Sequence, residues 1–263
     1  MSLTVAATAP FGADVLERLA ARNEVALLLT RPDSPRGRGR RPAPAPAKAV
    51  AERLGIQVAQ PEQLDAALEL PTGTVLVAAY GLIIPEPLLE RGLWLNVHPS
   101  LLPRWRGAAP VERALMAGDA ETGVTIHRTT RELDAGPIAA QRAFPVGPED
   151  DAGAVFARAA ELAVDLLDDV LPDPEFHPQP EEGVTYAEKL GPADRDVELS
   201  AARDALNTIR ALSPHIGARA LVDGRRLIVW KARLGDDGAV ELLEVQPEGR
   251  RRMSYVEYLR GLR

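Results

Sequence analysis

The residues best suited to chemistry are Asn96, His98 and Asp134. Asn96 and His98 close the run Gly92-Leu93-Trp94-Leu95-Asn96-Val97-His98, which stops at Pro99. An apolar run with β-branched and aromatic content, ended by proline, reads as the end of a buried strand. Side chains alternate along a strand, so Asn96 and His98 share one face while Val97 takes the other. Asp134 comes from a later glycine-containing turn, Arg131 to Ile138, reading RELDAGPI. An amide donor, an imidazole titrating near neutral pH and a carboxylate to orient it make a set suited to acyl transfer. A lone His-Pro after a strand is more often structural. The continuation SLLPRWRGAAP, residues 100 to 110, changes that balance, because a mere connection has little use for two prolines, a glycine and two arginines.

Positioning these groups calls for a strand-rich scaffold, and the chain alternates strands with helices. Leu3–Ala7 and Glu24–Thr30 read as strands around a helix from about Gly12 to Arg22. A helix near Lys48–Leu54, a strand at Ile56–Ala59, a helix near Pro61–Glu69 and a buried strand at Thr74–Ala79 follow. Beyond the central motif come a helix at Ala109–Ala117, strands at Glu121–Arg128 and Ile138–Phe144, and a long amphipathic helix at Asp151–Leu171. Such alternation implies an α/β fold, a Rossmann-like and mainly parallel sheet covered on both faces. Neither GxGxxG nor GxxxxGK[ST] occurs, which argues against dinucleotide and nucleotide triphosphate cofactors. Leu171–Gly183 is rich in proline and glutamate and reads as a linker. A helix near Ala201–Leu212 and strands at 218–223, 226–233 and 239–246 suggest a small C-terminal β-barrel.

The stretch NVHPSLLPRWRGAAPVERALMAGDAETGVTIHRTTRELDAGPI, from Asn96 to Ile138, resembles the formyltransferase family, and within it the members that act on methionyl-tRNA. The resemblance is dense from about Thr30 to Gln141 and looser to the C-terminus. It implies transfer of the formyl group of 10-formyltetrahydrofolate to the α-amino group of methionine on initiator tRNA. Asn96, His98 and Asp134 fall on the family's catalytic motif positions. Asn96 and a protonated His98 would stabilise the oxyanion of the tetrahedral intermediate, with Asp134 holding His98 in its protonated form. The chemistry needs no metal. The family likeness assigns the folate co-substrate to Tyr80, Gly81, Leu82, Ile83, Ile84 and Pro85, to Ser100, Leu101, Leu102 and Pro103, and to Leu133 and Gly136.

The long loop Arg31–Ala47, RPDSPRGRGRRPAPAPA, corresponds to an insertion that contacts the tRNA acceptor end in the family. Gly37-Arg38-Gly39 matches its core, and Arg36, Arg38, Arg40 and Arg41 are the expected RNA contacts. Arginine suits that task, since it pairs bidentately with phosphate and stacks on bases. Thr185–Leu190 matches the family's exit from its catalytic domain, placing the catalytic domain at 1–183, a linker at 184–200 and an OB-like C-terminal domain at 201–263. That last domain departs from the family. It carries Ser213-Pro214-His215-Ile216 in place of an Asn-Pro-Trp-Pro type of turn, and it is shortened between Gly235 and Val240.

Composition narrows the alternatives. With 46% hydrophobic and 26% charged residues in 263, the chain is an ordinary soluble protein able to bury a substantial core. The absence of cysteine excludes disulfides and thiolate chemistry, and the histidines at 98, 127, 177 and 215 lack metal-ligand spacing. No apolar run is long enough to span a bilayer and no signal peptide is evident, so a cytoplasmic monomer is expected. The net charge of −7 disfavours a general nucleic-acid binder, yet residues 200–263 hold twelve Lys/Arg against eight Asp/Glu. Three other readings share parts of the pattern: a formyltransferase acting on a sugar-nucleotide amine, a formyltetrahydrofolate hydrolase, and a non-catalytic RNA-binding module. The first two should lack the arginine-rich insertion, and an intact Asn/His/Asp set argues against the third.

Overall fold

The computed structural model describes residues 2–36, 41–171 and 173–262. In chain order the elements are β1 (Ser2–Ala7), α1 (Pro10–Ala20), β2 (Glu24–Leu29), the hairpin strands β3 (Ser34–Arg36) and β4 (Arg41–Ala43), α2 (Pro46–Leu54) and β5 (Gln57–Ala59). Then come β6 (Thr74–Ala78), the single-turn α3 (Glu86–Leu89), β7 (Leu93–His98), the two-residue β8 (Arg106–Gly107) and α4 (Pro110–Ala117). They are followed by β9 (Glu121–Arg128), β10 (Ile138–Pro145), α5 (Ala152–Val170), β11 (Tyr186–Ala187) and α6 (Ala202–Leu212). The chain ends with β12 (Ala218–Val222), β13 (Arg225–Leu234), β14 (Val240–Pro247), β15 (Met253–Ser254) and α7 (Tyr255–Arg260).

Two compact units form, and neither is one continuous stretch. The first comprises residues 1–106, 123–143 and 157–185, the second 107–122, 144–156 and 186–263. The first is built on a seven-stranded sheet in the order β10-β9-β7-β6-β1-β2-β5. β5, β2, β1, β6 and β7 run parallel, and β9 joins β7 antiparallel. The architecture is the expected α/β, Rossmann-like one. The chain winds outward from β1 to β2 on one side and from β6 to β7 on the other, so the carboxyl ends of β6 and β7 lie beside the switch in winding direction, where α/β sheets bind ligands.

Packing explains the order. β6 is buried along its whole length, as a strand covered on both faces must be. α1 lays Val15, Leu16 and Leu19 against the sheet. Gly12 on that helix touches the carboxyl end of β6, where any Cβ would overlap the Ala78 carbonyl oxygen. Trp94 fills the core beside Leu29, Val75 and Leu88, and its indole N–H donates to the Leu88 carbonyl at 2.8 Å.

One expected helix is absent. Pro61–Glu69 is irregular, because the Asp65 carboxylate accepts from the Ala67 N–H at 2.6 Å and competes with a helical turn. The segment still contributes Leu64 and Leu68 to the core. The Arg31–Ala47 insertion is also less irregular than its composition suggests, since β3 and β4 pair antiparallel with Arg36 opposite Arg41, and α2 begins at Pro46.

The second unit carries an open four-stranded sheet in the order β12-β13-β14-β15, with a core of Ile209, Leu212, Val229, Val245 and Tyr258. Among the described residues this sheet does not close into a barrel, consistent with the shortening read from the sequence. α7 was not foreseen, although Ser254-Tyr255-Val256-Glu257 is a capping-box sequence and forms one.

Candidate active site

The site is assembled where β7 ends. Asn96 and His98 project from the same face of that strand toward Asp134, and β9 lies antiparallel beside it with His127 opposite Asn96 and Thr125 opposite His98. Asp134 sits in the turn between β9 and β10 with φ of 49°, a left-handed conformation that an aspartate tolerates better than most residues. Gly136 follows in a position with no space for a side chain, since a Cβ there would overlap the Arg128 carbonyl oxygen.

The four polar groups form one network. Asn96 Nδ2 donates to Asp134 Oδ1 and to His127 Nε2, both at 3.1 Å. His127 Nδ1 donates to the Arg128 carbonyl at 3.0 Å, which leaves Nε2 with the lone pair that Asn96 requires. His98 Nε2 donates to the Trp105 carbonyl at 2.8 Å, so in the neutral ring Nδ1 bears the lone pair. That nitrogen lies 3.6 Å from Asp134 Oδ2, and His127 Nε2 lies 3.6 Å from Asp134 Oδ1. His98 and His127 are both buried.

Burial dominates the electrostatics of His98. Desolvation pushes its pKa below the ordinary histidine value, and the neighbouring Asp134 only partly opposes this. Burial thus favours the neutral ring before reaction, and the protonated His98 expected from the sequence belongs to the intermediate. Chemically the arrangement offers an amide donor beside an imidazole nitrogen, His98 Nδ1, that can take up a proton next to the Asp134 carboxylate.

The loop after β7 is held from below. Thr125 Oγ1 donates to the Ser100 carbonyl at 2.6 Å and accepts from the Leu102 N–H at 3.2 Å. Gln141 Nε2 donates to Thr125 Oγ1 at 2.9 Å and to the Leu102 carbonyl at 2.7 Å. Ser100 Oγ donates to the Arg104 carbonyl at 2.7 Å.

The chain matches the formyl transferase family over residues 2–171. It is 39% identical over 97% of its length, and 95% of the relative's, to a methionyl-tRNA formyltransferase of Paracoccus denitrificans. The chain belongs to the formyl transferase family. Among solved structures, HypX from Aquifex aeolicus in complex with tetrahydrofolic acid superposes with a TM-score of 0.65 at 17% identity, over 98% of this chain. The chain spans about half of that protein, 46%. A methionyl-tRNA formyltransferase from Clostridium thermocellum gives a TM-score of 0.63 at 16% identity over 94% of this chain and 98% of that one. At these identities the two structures share the fold.

In this formyl transferase chain, Asn96, His98 and Asp134 converge. The residues expected to bind folate divide into two kinds. Ile83 and Leu133 are large apolar side chains at 90% and 66% exposure, on loops bridged by the Arg131–Glu86 pair at 4.0 Å. They can offer apolar walls to a flat heterocycle. Tyr80 faces inward instead, buried in the core, and that burial pushes its hydroxyl up to about 12. Leu82 and Ile84 pack partly against the same core, and Pro85 precedes α3. Gly81 takes a left-handed φ of 81°. Ser100 and Leu102 are buried and Leu101 packs under Gly123, so Ser100–Pro103 shapes the site by its backbone. Of the arginines expected on tRNA, Arg36 and Arg41 pair through their backbones across the β3–β4 hairpin, while Arg38 and Arg40 lie outside the described residues. Among the described residues no His, Cys, Asp or Glu cluster suits a metal, and no helix is long and apolar enough to cross a membrane.

Sequence reasoning missed His127, Thr125 and Gln141. A signal for the first two existed: on β9 they alternate with Val124 and Ile126, so two polar residues sit at successive positions of one face of a buried strand.

Proposed function

We propose that this enzyme transfers the formyl group of 10-formyltetrahydrofolate to the α-amino group of methionine on initiator tRNA, with Asn96, His98 and Asp134 carrying the reaction. The observation behind this reading is 39% identity, over nearly the whole of both chains, to a protein named for that activity. The Asn96–His98–Asp134 network supports it chemically.

The amine attacks the formyl carbon as a free base, forming a carbon–nitrogen bond while the carbonyl oxygen takes the electron pair. Asn96 turns one N–H from His127 onto that oxygen, an oxyanion-hole contact of the kind whose removal costs about 3 kcal/mol. The proton lost by the amine is taken up by His98 Nδ1, where the Asp134 carboxylate stabilises the imidazolium. It returns to N10 as the old carbon–nitrogen bond breaks, so the proton count closes. Ile83 and Leu133 flank the pterin. Arg36, Arg38, Arg40 and Arg41 meet the acceptor stem, and Arg225, Arg226 and Arg250, which line a hollow of about 290 Å³ with Glu248 and Glu257, leave it with an excess of positive charge.

A single-turnover assay tests the reading. Purified protein should consume 10-formyltetrahydrofolate when methionyl-tRNA is added, and neither with buffer alone nor with an amino-sugar nucleotide. Consumption without any amine would make the chain a hydrolase, and transfer to the amino sugar would overturn the tRNA assignment.

A further inference from the structure

Gln179 lies in the stretch between α5 and β11 that reads as a linker, and it takes no part in the network described above. Its side-chain amide makes four hydrogen bonds. Nε2 donates to the carbonyl oxygens of Asp134 and Gly136, each at 2.8 Å. Oε1 accepts from Arg106, at 3.0 Å from Nε and 2.7 Å from Nη2. A carboxamide has two N–H donors and two carbonyl lone pairs, so its capacity is filled. The orientation is unambiguous: turned over, the nitrogen would face a guanidinium and the oxygen would face two carbonyls.

The two carbonyls belong to the turn that aims the Asp134 carboxylate. Asp134 holds a left-handed φ of 49°, which even an aspartate keeps more firmly where neighbouring groups hold the turn. The same segment braces the other side of the site. Ile138 and His177 exchange backbone hydrogen bonds at 2.7 and 2.9 Å. Thr185 accepts from the Trp105 N–H through Oγ1 and from the Arg106 N–H through its carbonyl, both at 2.9 Å, and the Trp105 carbonyl is the acceptor for His98.

We propose that Gln179 is a positioning residue for formyl transfer: anchored by Arg106, it clamps the Asp134–Gly136 turn and so fixes the Asp134 carboxylate against Asn96 and His98. The inference rests on the proposed role of Asp134 and adds to it the group that holds that turn. A carboxylate displaced from His98 leaves substrate contacts intact while slowing the proton transfer that the pair serves.

Gln179→Glu is the informative change. It keeps the side-chain length and pairs with Arg106 as an ion pair, but it presents oxygen to two carbonyls where an N–H is needed. At saturating 10-formyltetrahydrofolate and methionyl-tRNA, kcat should fall about tenfold or more. Gln179→Met, which removes the clamp without adding charge, should lose a similar factor and serves if the Glu variant does not fold. In an Asp134→Ala background, either change should cost less than about twofold further, because the group through which Gln179 acts is gone. Wild-type kcat in both Gln179 variants would overturn the inference, as would an equal loss in both backgrounds, which would make Gln179 a general brace. Full turnover by Asp134→Ala alone is a different failure: it removes Asp134 from the reaction, and the role of Gln179 with it.

Discussion

Asn96 has both of its amide hydrogens engaged, on Asp134 and on His127, before any substrate is present. Donation to an oxyanion therefore means exchange of a partner, and the hydrogen bond from Asn96 to a ring nitrogen is weaker than the one to a carboxylate. Asn96→Ala, His98→Ala and Asp134→Ala should each lower turnover by about a hundredfold or more while the protein stays folded, as loss of an oxyanion donor typically does. Steady-state kinetics with methionyl-tRNA checks this, and near-normal turnover in His98→Ala would sink the proton route. His98 also sets a pH dependence of stability. An unfolded histidine takes up a proton near pH 6.5. The buried one resists, because desolvation lowers its pKa. Below the ordinary histidine value the unfolded state then binds more protons than the folded state, so stability falls as pH drops until the lowered value is passed. The melting temperature should decline from pH 7.5 to about 5.5, and His98→Gln should flatten that decline. An identical slope in the variant would show that other groups govern it.

At the level of elements, the loop after β7 depends on one hydroxyl from the neighbouring strand. Thr125 on β9 satisfies the Ser100 carbonyl, the Leu102 N–H and the Gln141 amide at once, in a fully buried position. Thr125→Val preserves shape and leaves those groups short of partners. With each buried orphan costing on the order of 1–3 kcal/mol, the variant should lose about 2 kcal/mol or more. Urea unfolding measures it, and a loss below about 0.5 kcal/mol would mean that water or a rearranged Gln141 takes over. Much of the element pattern was legible beforehand. β9 and the helices α4 and α5 stand where periodicity, proline and glycine put them. The irregular course of Pro61–Glu69, where spacing points to a helix, was not legible, because Asp65 closes a local turn that apolar spacing does not register.

Across the whole molecule, charge is the feature that separates an RNA substrate from a small amine. The chain carries −7 overall, with five arginines gathered between Arg31 and Arg41 and a positive balance after residue 200. A quadruple Arg36→Ala, Arg38→Ala, Arg40→Ala, Arg41→Ala variant should use methionyl-tRNA much less well, with folate binding nearly unchanged. Affinity of the wild type for methionyl-tRNA should weaken with salt, and the variant should show a shallower slope, since fewer counterions are released. Titration of apparent affinity against salt concentration gives both numbers. Equal slopes would detach the insertion from the RNA and raise a small-molecule acceptor.

The sequence by itself determined the chemistry on offer and the scaffold that carries it. Alternation on β7 put Asn96 and His98 on one face, and the proline after His98 put them at a strand end, where local backbone geometry decides orientation. Strand–helix alternation specified a parallel α/β sheet because each connection must return to the same edge direction. Tertiary structure alone decided what those groups meet. His127 reaches Asn96 only through the antiparallel register of β9 on β7. The pKa of His98 is pushed down because folding removes it from water, an effect without trace in residue type or spacing. Gln179 stands 45 residues from Asp134, in a segment whose composition reads as a connector, and its contact with that turn exists only once the chain has folded back across the sheet. Contacts of that range depend on packing that no local pattern encodes.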